Sequence, residues 1–274
     1  MGDENQIIFG CVPAVDDVAT RARLLELCVA LGRELGTRVV AYRASSPGAL
    51  ARAFGAGEVD LAWVSPTLAL TAPELRSGVP IASSVRQGAV HYHGVLFVRA
   101  DSPLRSPMDL AGTRVAWVDP SSASGYLFPR MTLAVRGLDV TNLFDEETFH
   151  DSHGAVAQAV LSGAADVGAT FAAFEHGDPT RRLMRAGFMD VAEPEDARIL
   201  LATTAIPADL MIADSRLHDR WRSQLLLALT QLSADPTAAR AMRHLQGAEG
   251  FAQCEEEPLK ELRQQIIDIE LLGR

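Results

Sequence analysis

The chain has 274 residues, 48% hydrophobic and 22% charged, with 25 basic against 35 acidic side chains and a formal net charge of −10. That length buries a full core as one large domain or two modest ones, and the composition excludes a disordered chain. The acidic balance argues against a general nucleic-acid or anionic-membrane binder, which needs an excess of basic residues on some face, but it leaves room for a local anion site.

No apolar run reaches the roughly 18 residues that a transmembrane helix requires. The opening residues, Met1-Gly2-Asp3-Glu4-Asn5-Gln6, are polar and acidic. They lack the basic and apolar regions of a secretory leader, and Gln6 breaks the myristoylation pattern. The expectation is a cytoplasmic location as the chain stands, and a periplasmic or extracellular one if a leader has been removed. Cys11, Cys28 and Cys254 are odd in number and widely spaced. They make neither a disulfide framework nor a zinc site and are expected to be small buried apolar residues.

Strands and helices alternate from the start. Ile7 to Val12 is a short apolar run ended by Pro13, as expected of a buried parallel strand. Leu24, Cys28, Leu31 and Leu35 recur at helical spacing and are followed by Gly36. Arg38 to Tyr42 reads as a second strand, and Ser45-Ser46-Pro47 as the cap and first turn of a helix through Phe54. Asp60 to Val64 reads as a third strand, stopped by Ser65-Pro66. A second unit of this kind begins near residue 104. Its strand Val115 to Val118 runs into Asp119-Pro120 and a serine-rich loop, with a helix from about Tyr126. A further helix follows Ser152-His153-Gly154, and a strand covers Val167 to Thr170. The order helix, Gly-x-x-Asp, strand occurs twice, at Gly57 to Asp60 and at Gly163 to Asp166. Two copies predict two similar α/β lobes.

The β-rich stretch Tyr92 to Val98 and the Pro207-interrupted stretch Leu200 to Ile212 read as two crossings between the lobes. The division expected is 1–99 for the first part of lobe one, 100–203 for lobe two, and 204–274 for a return to lobe one. Two helical faces occupy that return: Trp221, Leu225, Leu229 and Leu232 on one, and Leu259, Leu262, Ile266 and Ile269 on the other.

The most informative segment is Asp119-Pro120-Ser121-Ser122-Ala123-Ser124-Gly125-Tyr126, between a strand and a helix. A helix start offers unpaired N–H groups and the positive end of the macrodipole, so it holds an anion without Lys or Arg. Ser122 and Ser124 add hydroxyl donors, and Gly125 lets the backbone approach closely. A plain helix cap explains the same residues. The loop is neither a nucleophile elbow nor a Walker loop.

Here the chain resembles the phosphate/phosphite/phosphonate-binding proteins, solute receptors of ABC importers with the two-lobed type II periplasmic-binding-protein fold. The resemblance runs from about Ile7 to Ile269. Val59 to Pro66, Tyr92 to Val98 and Ser106 to Val115 carry it first, then the serine loop and Ser152 to Ala155. Ala165 to Gly168, Ile206 to Asp209 and Gly247 to Phe251 complete the series. It implies that Ser122, Ala123 and Ser124 grip the oxyanion, although the family pattern carries Thr where Ala123 stands. It implies that Tyr92, Ser46 and Ser65 face the ligand cleft, that His153 touches the ligand, and that the Asp209 carboxylate receives a ligand amine. Thr170 and Glu175, read as following the last lobe-two strand, are further candidates. Each has a bland reading: core for Tyr92, a helix cap for His153, a turn for Asp209. His91 and His93, at period two, read as a surface pair without a third metal ligand. Glu255-Glu256-Glu257 reads as a solvated helix start.

The function expected is a solute-binding protein that closes by hinge motion on a small anion such as a phosphonate or phosphate ester. No cofactor or metal is expected, nor any nucleic-acid partner, and an ABC permease is the partner if the chain is exported. The alternative is a cytosolic enzyme on the same fold acting on a small anionic metabolite, with His153, Tyr92, Asp209 and Glu175 as available acid–base groups.

Overall fold

The structure is a computed structural model, which describes residues 6–13, 17–86 and 88–272, with side chains described up to 267. In chain order the elements are β1 (Gln6–Cys11), α1 (Val18–Leu35), β2 (Arg38–Arg43), α2 (Pro47–Ala56), β3 (Leu61–Val64), α3 (Pro66–Thr71) and β4 (Val79–Val85). Then come β5 (His91–Arg99), β6 (Thr113–Trp117), α4 (Phe128–Val135), β7 (Phe144–Phe149), α5 (His153–Leu161), β8 (Val167–Phe174) and β9 (Leu183–Ala186). The last are β10 (Ala197–Ala202), β11 (Ile206–Pro207), β12 (Leu210–Ala213), α6 (Asp219–Gln231), α7 (Pro236–Gln246), β13 (Gly250–Gln253) and α8 (Glu256–Leu272).

These elements form two compact units. The first comprises Met1–Val90 and Pro207–Glu256, the second His91–Ile206 and Glu257–Arg274. The chain therefore passes between units before His91, before Pro207 and again before Glu257. The expected divisions at 99 and 203 shift accordingly. Tyr92 to Val98 is no linker: β5 lies between β10 and β8 in the second unit's sheet. α6 and α7 do return to the first unit, but α8 groups with the second.

The first unit holds a six-stranded sheet in the order β13-β4-β12-β3-β1-β2. β1 is parallel to β2 and β3, whereas β12 runs antiparallel to β3 and β4. α1, α6 and α7 cover one face. Leu27 and Leu31 of α1, Leu225 and Leu229 of α6 and Met242 of α7 meet Phe9, Trp63 and Met211 of the sheet there. Burying side chains of this size contributes about 1.5–3 kcal/mol each, which is why the apolar stripes decide where the helices lie. Cys11 and Cys28 belong to this core, while Cys254 is half-buried, contrary to the expectation for all three.

The second unit repeats the plan in the order β10-β5-β8-β6-β7, with β9 paired to β8. β6 is parallel to β7 and β8, and β5 is antiparallel to β8 and β10. Alternation along β5 serves both faces. Val95 and Phe97 pack with Val156, Val160 and Phe188, and Leu96 and Val98 pack with Trp117, Leu133 and Leu143.

The duplicated Gly-x-x-Asp is structural. Gly57 and Gly163 each take a left-handed φ, +79° and +80°, which favours glycine after a helix. The carboxylate that follows accepts a backbone N–H from the unit's first parallel strand: Asp60 Oδ2 from Ile8 at 2.8 Å and Asp166 Oδ2 from Arg114 at 2.9 Å. Both bonds span 52 residues. The two copies are 106 residues apart, and the same shift relates Ser46 to Ser152, which cap α2 and α5 through bonds of 3.2 Å from the N–H groups of Ala49 and Ala155.

Candidate functional site

The second unit concentrates its candidates at the carboxyl ends of its parallel strands. β6 leads through Val118 into the serine loop, whose helix opens as a single π turn, Ala123–Leu127, continuous with α4. The helix thus begins three residues before the expected Tyr126. Asp119 folds the approach: its Oδ1 accepts from the Ser121 N–H at 2.8 Å and from the Ser121 hydroxyl at 2.5 Å. The Ser122 hydroxyl oxygen accepts from the Gly125 N–H at 3.1 Å. That oxygen is then an acceptor to the helix, and a hydroxyl in this role keeps its proton as a donor. Ala123 is half-buried and Ser124 is buried at 4% exposure. At a helix start their N–H groups have no carbonyl one turn behind them. Gly125 is required by packing, since a Cβ there would meet Val118 and lie 2.8 Å from Ser122 Oγ.

β7 ends beside the same loop, with the His150 N–H donating to the Trp117 carbonyl at 3.0 Å and the Asp151 N–H to the Val118 carbonyl at 2.8 Å. α5 starts there. Its cap is Ser152, so His153 opens the helix and does not cap it. His153 Nδ1 lies 3.0 Å from Thr170 Oγ1, and its ring stands edge-on to Phe171 at 5.0 Å. When the Thr170 hydroxyl donates to Nδ1, Nε2 carries the proton and is a donor. Burial holds the His153 pKa below the ordinary imidazole value, opposed by the charges of Asp119 and Asp190, so the neutral ring persists to lower pH. Thr170 lies inside β8 and is fully buried, while Glu175 follows five positions beyond, past the strand end at Phe174. Thr170 therefore joins His153, and Glu175 does not.

Tyr92 is half-buried near the start of β5. His93 is buried at 3% exposure and is not half of a surface pair. Its Nδ1 lies 2.8 Å from the Thr203 carbonyl and its Nε2 3.0 Å from the Gly177 carbonyl. The ring ties β5 to the segment after β10 and to the turn after β8. Among the described residues no group of three His, Cys, Asp or Glu side chains is placed to hold a metal.

In the first unit Ser46 and Ser65 are both helix caps, accepting from the Ala49 N–H at 3.2 Å and the Leu68 N–H at 3.3 Å. Ser65, Trp63 and Asp209 line a concavity of about 170 Å³. Asp209 is no open carboxylate: Arg86 Nη2 donates to its Oδ2 at 2.5 Å and to the Gln246 carbonyl at 2.6 Å. Burial pushes the Asp209 pKa up, and the Arg86 charge opposes that shift. Sequence reading named neither Arg86 nor Gln246. Arg86 is 123 residues from Asp209, and no local pattern marks such a pairing.

The family model for the periplasmic substrate-binding protein of phosphonate ABC transporters matches residues 9–258. The phosphate-import protein PhnD of Mycolicibacterium smegmatis is 27% identical over 181 residues, which is 62% of this chain and 56% of that protein. The chain spans about half the length of the curated relatives it matches. Among solved structures, XAC2383 from Xanthomonas citri bound to ATP superposes with a TM-score of 0.70 at 21% identity, covering 97% of this chain and 98% of that one. PhnD1 from Prochlorococcus marinus in complex with methylphosphonate gives a TM-score of 0.62 at 17% identity, covering 98% and 99%. At such identities the likeness speaks for the fold, that of the type II periplasmic binding proteins. Among the described residues no helix is long and apolar enough to cross a membrane. The chain belongs to the family of periplasmic substrate-binding proteins of phosphonate ABC transporters.

Proposed function

We propose that the chain is a solute receptor for a small phosphorus oxyanion, a phosphonate, phosphate or phosphate ester, and that it hands this ligand to an ABC permease. The anion sits on the serine loop, where Ser122, Ser124 and the N–H groups of Ala123 and Ser124 donate. His153, oriented by Thr170, supplies one further donor. The observation that carries the reading is the Ser122 hydroxyl: its oxygen accepts from the Gly125 N–H at 3.1 Å, which fixes the side chain at the helix start and lets its O–H turn to donate to an anion there. Donors of this kind bind an anion without a basic side chain, which suits a chain of net charge −10. Tyr92, Ser46, Ser65 and Glu175 remain candidate contacts, and hinge motion on binding belongs to the same reading.

The test is calorimetric titration with methylphosphonate and inorganic phosphate. Ser122→Ala with Ser124→Ala removes two hydroxyl donors at about 1.5–3 kcal/mol each for bonds to a charged group, so affinity falls at least about a hundredfold. Unchanged affinity in a folded double variant moves the anion elsewhere.

A further inference from the structure

The second unit has a cavity at the end of its sheet opposite the serine loop. β5 closes on Arg99, β6 opens on Thr113 and Arg114, and Asp166 precedes β8, so these residues meet at the amino ends of the parallel strands. β6, five residues long, sets the cavity about 16 Å of strand away from the loop. The cavity volume is about 430 Å³, in the range of small-molecule sites. Two guanidiniums line it, and a carboxylate holds each by one edge. Arg99 donates to Asp101 through Nε at 2.9 Å and Nη2 at 2.6 Å. Arg114 donates to Asp166 through Nε at 3.1 Å and Nη2 at 2.8 Å. Such a fork fixes the plane of a guanidinium and leaves its other N–H groups to donate. Among the described residues Arg114 Nη1 has no acceptor, and Arg99 Nη1 has only the Leu161 carbonyl at 3.5 Å.

The loop of residues 100–104 walls the cavity and is built around further cations. Arg198 donates from Nη1 to the Ala100 carbonyl at 3.0 Å, and from Nη2 to the Ser102 and Leu104 carbonyls at 3.0 and 2.5 Å. Its Nε is buried without an acceptor. Arg105 Nη1 donates to the Ser102 carbonyl at 2.6 Å. Among the described residues neither Arg105 nor Arg198 is paired with a carboxylate, and Asp109 is taken up by the N–H groups of Arg105 and Ser106 at 2.8 and 2.9 Å. A chain of net charge −10 thus keeps two arginines without an ion pair at this wall. A partly buried cation without a counter-ion favours an anion close by.

We propose that this cavity binds a small ligand carrying a diphosphate group, with one oxyanion on the free edge of Arg99 and the other on that of Arg114. Each fork is already half neutralised by its aspartate, so one oxyanion on one arginine gains little, and a ligand that spans both gains from two. The Ser102 hydroxyl accepts from the Leu104 N–H at 3.3 Å and keeps its proton as a further donor. The site is separate from the serine loop and does not depend on that reading.

The test is calorimetric titration of the full chain with inorganic pyrophosphate, inorganic phosphate and adenosine diphosphate, read together with backbone amide shifts. Pyrophosphate shifts the amides of residues 99–104 and 163–166, and Ser122→Ala with Ser124→Ala leaves this binding within about twofold, while phosphate binds there at least about tenfold more weakly. Arg99→Gln and Arg114→Gln each lower pyrophosphate affinity at least about tenfold, and Arg99→Lys, which keeps the charge but not the fork, loses less. The Arg99 variants stay folded, because its partner Asp101 is 69% exposed and surface pairs contribute little to stability. Adenosine diphosphate acting on the same amides supports the proposal for an ester, and pyrophosphate alone supports it for the free ion. Neither ligand shifting these amides, an affinity unmoved by Arg99→Gln, or phosphate matching pyrophosphate there overturns the proposal and leaves the serine-loop reading standing.

Discussion

Gly125→Ala tests whether the serine loop is built by close packing. The added Cβ would collide with Val118 Cγ2 and would lie 2.6 Å from Val118 Cβ and 2.8 Å from Ser122 Oγ. Val118 cannot yield: it is 4% exposed, β-branched, and packed in the same cluster as Val156 and Phe97. Overpacking of this kind costs about 1–3 kcal/mol. Moving Ser122 off the Gly125 N–H removes a helix cap at about 1 kcal/mol more. The sum, roughly 2–4 kcal/mol, corresponds to a Tm loss of about 4–16 °C at about 2–4 °C per kcal/mol. On the proposed reading phosphate affinity falls with it, because the donors of residues 122–124 move together. Urea unfolding and calorimetry on Gly125→Ala, Val118→Ala and the double variant decide the matter. Val118→Ala makes space, so the double variant is more stable than additivity predicts, by at least about 1 kcal/mol. A Gly125→Ala protein within about 0.5 kcal/mol of wild type, or strict additivity, refutes the packing argument.

The two equivalent aspartates predict opposite responses to acid. The hydrogen bond from Arg114 holds Asp166 below the ordinary value of 3.8, so its stability contribution is present above that pH and is lost as pH falls through the depressed pKa. Burial raises Asp60 above 3.8, so ionising it costs stability as pH rises from there through the raised value. Denaturant midpoints against pH should therefore flatten in acid for Asp166→Asn and lose the opposite slope for Asp60→Asn; identical slopes refute the assignment. His93→Ala removes the ring and its one N–H donor from between the Thr203 and Gly177 carbonyls and should cost about 1–3 kcal/mol, with faster amide exchange in residues 175–178 as the local readout. Burial pushes the Cys11 and Cys28 thiols up to about 12, so thiol titration of the native protein at about pH 8 should label half-buried Cys254 first and the other two only on unfolding.

The features legible in the sequence are those whose cause is local. Ser46 and Ser152 announce helix starts because a short hydroxyl satisfies an N–H three residues on, and that chemistry needs no tertiary partner. Gly57 and Gly163 mark helix ends because the left-handed φ disfavours other residues. Since both recur with an aspartate three positions later, the duplication of the lobes can be read off one chain. The serine loop is legible for the same reason, as a strand followed by hydroxyls and a glycine. What sequence reading misplaces depends on which buried surfaces meet. A β-rich run such as Tyr92 to Val98 has the composition of a central strand and of a crossing alike, and only its pairing with β8 and β10 decides. α8 carries an apolar stripe, Leu259, Leu262 and Ile266, that would suit either lobe, and its grouping with the second unit has no marker in the stripe.

The candidate site divides along the same line. Ser122 and His153 are marked by their places at helix starts, but what each can do is set at long range: Thr170 orients the imidazole from another strand, and Val118 fixes the turn through Gly125. Asp209 is the sharpest case. As a residue type near a crossing it reads as a carboxylate awaiting a cation. Arg86 reaches it across 123 residues, so the carboxylate is already paired with a guanidinium and is no open site for a cation. The charge at this position belongs to the pair and not to the carboxylate alone, which only the fold, by bringing Arg86 to Asp209, decides.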